Sequence, residues 1–215
     1  MKIRIKSLVL GPVETNCYII ENEDNMEAVV IDPGDSGDEI YDMVKGDGFS
    51  ISAILLTHGH FDHILGLIDL LPHLKDEGKS YQILASSDEE EVLSDPELNE
   101  SRSHIEGGYT VKADRLLKDN EEFEAAGIRF VCLHTPGHTK GSCCYYLSEK
   151  KILFSGDTLF ARSVGRTDLP TGSMRQLKKS IDEKLMSLDD DVQVFPGHDS
   201  YTTIGDERRM NPFIG

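Results

Sequence analysis

Apolar and polar residues alternate near the start of the chain, and two continuous apolar runs follow. Residues 3–7 alternate isoleucine with arginine and lysine, which places every second side chain on one face of a strand. Runs rich in β-branched residues at 17–20 and 28–31 indicate two further strands. The chain is therefore predicted to begin with three β-strands.

A helix, a buried strand and a second helix are predicted next. Ser36 and Glu39 have the spacing of a capping box that would open a helix. The short apolar run at 51–56 is typical of a strand that is buried on both faces. Over residues 64–71 the apolar positions follow helical spacing, and this helix is predicted to end at Pro72.

The second half of the chain has a weakly patterned stretch and then a strong β signal. Residues 86–93 fit a short acidic helix, and residues 95–108 are predicted to be a solvated polar loop. An amphipathic helix is predicted over 174–188, with Ser173 and Gln176 as its capping box. Predicted strands occupy 128–133, 142–147, 151–155 and 192–195.

The order of these elements predicts an α/β fold. Two β-rich halves with helices outside would bury both faces of every strand if two sheets were stacked between the helices. No Pro-, Gly- or Ser-rich linker divides the chain, so residues 1–215 are predicted to form one domain.

Charge and cysteine content narrow the possible functions. Basic residues number 22 and acidic residues 39, so the formal net charge is −17, which repels phosphate backbones. No apolar run approaches the roughly 18 residues of a membrane span, and residues 1–6 do not resemble a signal peptide. We therefore expect a cytoplasmic protein without a nucleic-acid or membrane partner. Its cysteines, predicted to be reduced core residues, are Cys17, Cys132, Cys143 and Cys144.

Three of the eight histidines lie within six residues, directly after the predicted strand at 51–56. The segment contains His58, His60, Asp62 and His63. A loop that leaves a buried strand can turn alternate side chains towards one point, and imidazole and carboxylate are suitable ligands for a borderline divalent ion such as zinc. The spacing predicts a metal site, in which one pair of residues serves one ion and the other pair reaches a second.

Three further candidate ligands each follow a predicted strand and come directly after a glycine. They are His138, Asp157 and His198. Strand-end loops could bring them to the same edge of the sheets as the histidine cluster. Taken alone, each histidine could be a surface or core residue, and Asp157 and Asp199 could each cap a helix. The histidines that are not predicted to bind a metal are His73, His104 and His134.

Residues 57–63 have the sequence Thr-His-Gly-His-Phe-Asp-His, and the three later ligands follow in order. With this pattern the chain resembles the metallo-β-lactamase superfamily over essentially its whole length. The resemblance implies a four-layer αββα sandwich with two divalent ions, zinc in the first place and iron or manganese as alternatives. By resemblance, the first ion would be held by His58, His60 and His138, the second by Asp62, His63 and His198, and both by Asp157.

The same resemblance implies a hydrolytic reaction. A hydroxide held between the two ions would attack a carbonyl carbon, because metal binding lowers the pKa of water to about 7. The ions would stabilise the oxyanion that forms. Asp62 and Asp157 are the catalytic residues that the resemblance implies, with Asp62 orienting the hydroxide.

Two segments are similar to those of small glyoxalase-II-like hydrolases, namely residues 135–142 around the third histidine and 155–160 around the bridging aspartate. Those enzymes cleave S-acyl-glutathione thioesters, whose thiolate is a good leaving group. The resemblance therefore implies hydrolysis of such a thioester or a related ester, a small-molecule substrate. Arg166 would hold a substrate carboxylate bidentately, or else it is a surface arginine paired with Asp168.

The sequence also allows alternative functions. Many zinc β-lactamases carry Cys or Ser in place of Asp157, which disfavours antibiotic hydrolysis. The chain also resembles persulfide dioxygenases, which use a single iron that would here be held by His58, His138 and Asp157, but which do not need the remaining donors. A non-catalytic metal protein on the same scaffold is a further alternative, although structural zinc sites are usually rich in cysteine.

Overall fold

The computed structural model describes residues 2–214, and its first half carries most of the helices. The strands there are β1 (Ile3–Leu10), β2 (Thr15–Asn22), β3 (Glu27–Ile31), β4 (Ser50–Leu56), β5 (Gln82–Ser86) and β6 (Arg115–Leu117). The helices are α1 (Gly37–Gly46), α2 (Phe61–Ile64), α3 (Leu67–Glu77) and α4 (Glu90–Ser94).

The second half is richer in strands. They are β7 (Glu121–Ala125), β8 (Ile128–His134), β9 (Cys143–Leu147), β10 (Ile152–Gly156), β11 (Leu159–Phe160), β12 (Ser163–Val164), β13 (Gln193–Pro196) and β14 (Thr202–Thr203). The helices are α5 (Met174–Glu183) and α6 (Ile204–Met210).

Two six-stranded sheets are formed, one by each half of the chain. The first sheet keeps the chain order β1 to β6, with β3 to β6 parallel and β1 to β3 antiparallel. The second has the order β14-β13-β10-β9-β8-β7, in which β10 and β13 run parallel and the other pairs antiparallel. The short strands β11 and β12 pair with each other.

Alternate side chains of the strands enter different apolar layers, since a strand points successive side chains to opposite faces. In β2, Tyr18 and Ile20 pack between the two sheets, whereas Ile19 packs in the layer that contains α1 and α3. On the outer face of the second sheet, Leu153 packs with Leu177 of α5. The predicted four-layer αββα sandwich is thereby confirmed.

The predicted helix ends are partly wrong. Helix α3 continues through Pro72 to Glu77, because burial of Leu70 and Leu74 offsets the roughly 3 kcal/mol that a proline costs inside a helix. Ser36 adopts a left-handed conformation and its side chain does not cap α1. Helix α5 begins as predicted, with Ser173 Oγ accepting a hydrogen bond from the backbone N–H three residues later.

The stretch around residues 80–126 differs most from the prediction. It contains β5, β6 and β7, which were not predicted, and the loop at 95–108 is not simply solvated. Asn99 and Ser101 are fully buried, and the carbonyl of Asn99 accepts a hydrogen bond from the backbone N–H of Phe61 at 2.9 Å. The loop is therefore packed beside the histidine cluster.

All four cysteines are buried and form no disulfide, in agreement with their prediction as reduced core residues. Burial raises the pKa of the Cys144 thiol to about 11. Within residues 2–214, no helix is long and apolar enough to cross a lipid bilayer.

Candidate metal centre

The seven predicted ligands lie at one edge of the two sheets, where four of the strands end. Loops at strand ends are anchored by the packed sheet, so the side chains they carry are held rigidly. His58 and His60 follow β4, Asp62 and His63 lie in α2, and His138, Asp157 and His198 follow β8, β10 and β13 respectively.

The structure brings these seven side chains together. Their ligand atoms form three overlapping groups, and within each group all atoms lie within 4.8 Å of one another. The groups are His58 with His60 and His138, His58 with His63 and Asp157, and Asp62 with His63 and His198.

The first donor group, His58, His60 and His138, consists of three buried imidazoles. The Nε2 atom of His138 lies 2.8 Å from Nδ1 of His60 and 3.2 Å from Nε2 of His58. The three nitrogens therefore converge on one point from two different loops.

The second donor group, Asp62, His63 and His198, lies beside the first. Asp62 Oδ2 is 3.2 Å from His198 Nε2 and 3.6 Å from His63 Nε2. Asp157 lies between the two groups, with carboxylate oxygens 3.4 Å from His63, 3.5 Å from His138 and 3.6 Å from His198. One carboxylate thus reaches both sets of donors.

Hydrogen-bond acceptors fix how the imidazoles are turned. A main-chain carbonyl lies 2.8 Å from Nδ1 of His138, and another lies 3.1 Å from Nδ1 of His198. The Asp32 carboxylate lies 3.0 Å from Nδ1 of His63. Since carbonyl and carboxylate oxygens only accept, these Nδ1 atoms carry the protons and each Nε2 is directed at the centre.

The two groups differ in charge before a metal binds. Burial, together with the neighbouring imidazoles, lowers the pKa of His60 to about 3 and lowers the pKa of His58 well below its ordinary value. Burial alone would also lower the pKa of His63, but the three carboxylates around it outweigh burial and raise that pKa. His58 and His60 are therefore neutral, whereas His63 must lose a proton to bind a cation.

Buried polar atoms without partners show that the centre fits divalent ions. Among residues 2–214, the buried atoms His63 Nε2 and Asp157 Oδ1 have no hydrogen-bond partner. Such atoms cost about 1–3 kcal/mol each. Nitrogen and oxygen ligands around a tetrahedral zinc ion lie about 3.4 Å apart. The donor separations of 2.8 to 3.6 Å are close to that spacing.

A cavity of about 390 Å³ opens onto both donor groups. Its size is that of a small-molecule site. Asp199 and Glu100 are acidic residues at its wall, and Arg166 is its basic residue. The rest of the wall outside the donor groups is formed by Val13, Phe61, Phe160, Ser163, Val164 and Leu169.

Arg166 is mostly exposed and is paired with Asp168. Its Nε and Nη2 atoms donate to the two carboxylate oxygens at 2.7 and 2.8 Å. This ion pair is the alternative that the sequence left open, although the residue also lines the cavity. The carbonyl that orients His138 belongs to Arg166 as well, so the backbone of this residue has a role that the sequence did not predict.

The other three histidines and Asp199 lie outside the donor groups, as predicted for the histidines. His73 pairs with an exposed aspartate, His104 stacks on Phe61 with ring centroids 3.6 Å apart, and His134 lies near a backbone carbonyl. Asp199 has a φ of 63° and is not followed by a helix, so the prediction of a helix cap there is wrong.

Two buried carboxylates in the surroundings of the site were missed. Asp32 follows β3 and contacts His63, and Glu89 follows β5 and contacts Gly59 of the histidine loop. Like Asp157, each is an acidic residue shortly after an apolar strand, but neither directly follows a glycine, and β5 was not predicted. That signal alone does not say which histidine lies nearby.

The comparisons with known proteins agree with this geometry. The profile of the metallo-β-lactamase superfamily matches residues 10–198. Hydroxyacylglutathione hydrolase GloC of Haemophilus influenzae is 34% identical over 99% of this chain and 98% of that protein. The solved structure of the BLEG-1 B3 metallo-β-lactamase is 38% identical, with a TM-score of 0.88 over 98% of this chain and 99% of that one. The structure of TTHA1623 in a di-iron-bound form is 33% identical, with a TM-score of 0.82 over 97% and 100% of the two chains. The chain therefore belongs to the metallo-β-lactamase superfamily.

Proposed function

We propose that the protein is a hydrolase that uses two divalent ions to cleave a thioester of the S-acyl-glutathione kind, or a related ester. The observation that carries the proposal is the position of Asp157, whose carboxylate lies 3.4 to 3.6 Å from histidines of both donor groups. A carboxylate in this place suits a pair of closely spaced cations. The 34% identity to a protein named hydroxyacylglutathione hydrolase supports the choice of substrate.

The donors divide between the ions as the two groups suggest. His58, His60 and His138 would hold the first ion, Asp62, His63 and His198 the second, and Asp157 both. Bound divalent ions lower the pKa of water to about 7 and polarise a carbonyl oxygen. Imidazole and carboxylate donors suit zinc, and equally iron or manganese.

Asp62 is the residue that we propose to orient the attacking water. Burial alone would raise the pKa of Asp62, but His63 and His198 lower it to about 2, so the carboxylate is ionised at neutral pH. The hydroxyl of Thr15 donates a hydrogen bond to its Oδ2 atom at 3.1 Å and helps to hold it in place. A fixed, charged acceptor beside the cavity can direct a water O–H and so aim the oxygen lone pair at the carbonyl carbon.

The cavity suits an acyl thioester. Val13, Phe160 and Leu169 offer apolar surface to an acyl group, and Arg166 offers a cation to a carboxylate of the thiol. A thiolate leaves without first taking up a proton, so the chain does not need to supply a general acid.

The proposal also covers the domain organisation, the location and the partners of the protein. Residues 1–215 would act as one domain in the cytoplasm on a small molecule, without a nucleic-acid or membrane partner. The net charge of −17 and the unpaired, buried cysteines support this assignment.

The test measures metal content and hydrolysis on the same purified sample. The substrates are S-lactoylglutathione, an uncharged thioester, an aryl ester, a lactone and a cephalosporin, the last because BLEG-1 is named a B3 metallo-β-lactamase. We expect two ions per chain and the highest kcat/KM with a thioester. Asp157→Asn is expected to lose at least about 100-fold in kcat. Asp182→Asn, on the exposed side of α5, is the control and should match the wild type.

The same panel includes the outcomes that would refute the proposal. Preferred hydrolysis of the cephalosporin would replace the thioester by a β-lactam. Two bound ions without turnover of any substrate would favour the non-catalytic metal protein.

A persulfide dioxygenase-like oxidoreductase is the second candidate function. His138 Nε2 lies 3.2 Å from His58 Nε2 and 3.5 Å from Asp157 Oδ2, so these three residues could hold a single iron. The similar structure of TTHA1623 is in a di-iron-bound form, which supports iron as a metal for this site. One iron per chain, with oxygen uptake that depends on glutathione persulfide, would replace the hydrolase proposal.

A further inference from the structure

Glu89 is a fully buried carboxylate that takes no part in the proposed reaction. It lies between β5 and α4, and its side chain reaches two loops of the metal centre. Oε1 accepts a hydrogen bond from the N–H of Gly59 at 2.7 Å. Oε2 accepts hydrogen bonds from the hydroxyl of Thr139 at 2.8 Å and from the N–H of Gly141 at 2.9 Å. One carboxylate therefore joins the two loops.

These two loops carry the whole first donor group. Gly59 stands between His58 and His60, and Thr139 directly follows His138. The separation of the loops sets the distances of 2.8 and 3.2 Å between the three imidazole nitrogens. Any change in how the loops are joined alters those distances.

The contact between Glu89 and the second loop leaves no spare room. A Cβ atom at Gly141 would lie 2.1 Å from the backbone nitrogen of Glu89, so the loop packs directly on this backbone. Lys140, in the same loop, pairs with Glu91 rather than with Glu89. The donors that hold the buried carboxylate are therefore neutral. Their hydrogen bonds lower the pKa of Glu89, but burial outweighs them and raises it to about 7.

We infer that Glu89 is a positioning residue that holds the loop of His58 and His60 and the loop of His138 at the spacing a divalent ion needs. The inference rests on the proposed function, since it requires that the first donor group binds an ion. Glu89 touches neither the ion nor the substrate. It acts on the affinity of the first group more than on that of the second, because His198 of the second group lies on a loop that Glu89 does not contact.

The test compares Glu89→Gln with a matched control. Glutamine has nearly the same shape as glutamate, but its amide has only one acceptor oxygen. Its NH₂ group is itself a donor and would face N–H or O–H donors that now donate to a carboxylate oxygen. The control is Glu207→Gln, because Glu207 is also fully buried. Its carboxylate instead accepts hydrogen bonds from the backbone N–H of Arg162, the hydroxyl of Thr202 and the side-chain amide of Asn211. Each chain is stripped of metal and titrated with Zn²⁺ against a chromophoric chelator, while circular dichroism and the Tm report the fold.

In Glu89→Gln we expect one of the two zinc ions to bind about 10-fold more weakly and the other to bind as in the wild type. Glu207→Gln should bind both ions with unchanged affinity. Equal affinities in Glu89→Gln and the wild type would overturn the inference. Equal weakening in both variants would overturn it too, because any buried carboxylate would then have the same effect.

A second variant covers a failure of Glu89→Gln to fold. Thr139→Val keeps the carboxylate and removes one of its three donors, so it should weaken the same zinc ion by a smaller factor; unchanged affinity would overturn the inference. A wild-type chain that binds no zinc would contradict the proposed function and the inference together. A wild-type chain that binds two zinc ions and hydrolyses nothing would contradict the hydrolase alone, since the titration does not depend on turnover.

Discussion

The Oδ2 atom of Asp32 lies 3.0 Å from the Nδ1 atom of His63. The same carboxylate accepts hydrogen bonds from the backbone N–H and the hydroxyl of Thr57, at 2.8 and 2.6 Å. Thr57 directly precedes the histidine cluster, so Asp32 joins the start of the cluster to one of its members. The orientation of His63 is therefore set by the end of β3 as well as by its own loop.

Asp32→Asn should weaken zinc binding by the second donor group about 10- to 100-fold, because an amide cannot accept hydrogen bonds at both oxygen positions. The measurement is a zinc titration of the stripped protein. The control is Asp38→Asn, which removes the exposed partner of His73, 2.7 Å away, and should leave both affinities unchanged. Wild-type zinc affinity in Asp32→Asn would contradict the role of Asp32.

The stability of the metal-free protein and the additional stability given by zinc should respond to pH in opposite directions. The pKa of His63 is raised in the folded chain, so its charge adds stability that is present below the ordinary value of 6.5 and is lost as the pH rises through the folded pKa. The pKa of Asp62 falls from 3.8 to about 2, so its contribution is present above 3.8 and is lost as the pH falls towards 2.

Urea unfolding between pH 6 and 9 tests this prediction. The free energy of unfolding of the stripped chain should fall as the pH rises above 6.5. The additional stability given by zinc should increase over the same range, because its ligands must be deprotonated. Stability of the stripped chain that is constant or increasing above pH 6.5 would contradict the assigned charge of His63.

Gly137→Ala should destabilise the fold and displace His138. Gly137 has a φ of 141°, and a Cβ atom there would lie 2.2 Å from the backbone nitrogen of Leu177 in α5. We expect a loss of at least about 2 kcal/mol in the free energy of unfolding together with weaker zinc binding. Gly78→Ala is the control, since its φ is 66° and a Cβ atom would meet nothing within 4 Å. It should cost about 1 kcal/mol and leave zinc binding unchanged.

Asp168→Asn tests whether Arg166 recognises a substrate carboxylate. Loss of the bidentate partner frees the guanidinium, so the KM for S-lactoylglutathione should fall about threefold while the KM for an uncharged thioester stays the same. Arg166→Gln should raise the KM for the glutathione thioester alone. If both variants change the KM of both substrates equally, Arg166 does not bind the carboxylate of the substrate.

Much of the fold and the candidate ligands could be predicted from local sequence patterns. A strand buried on both faces, such as β4, appears as a dense apolar run, and the histidine cluster that follows it is contiguous in the chain. Strand β7 is different, because Phe123 and Ala125 are its buried residues and its other three residues are glutamates. Its alternation was too weak against the surrounding polar sequence to indicate a strand.

The partners of the carboxylates were decided by the tertiary structure alone. Asp32 meets a histidine 31 residues later, and Glu89 meets Thr139 50 residues later. The local pattern of a sequence reflects burial and turn geometry. A hydrogen bond between distant loops depends on how whole layers stack, so no single segment contains the information that specifies it.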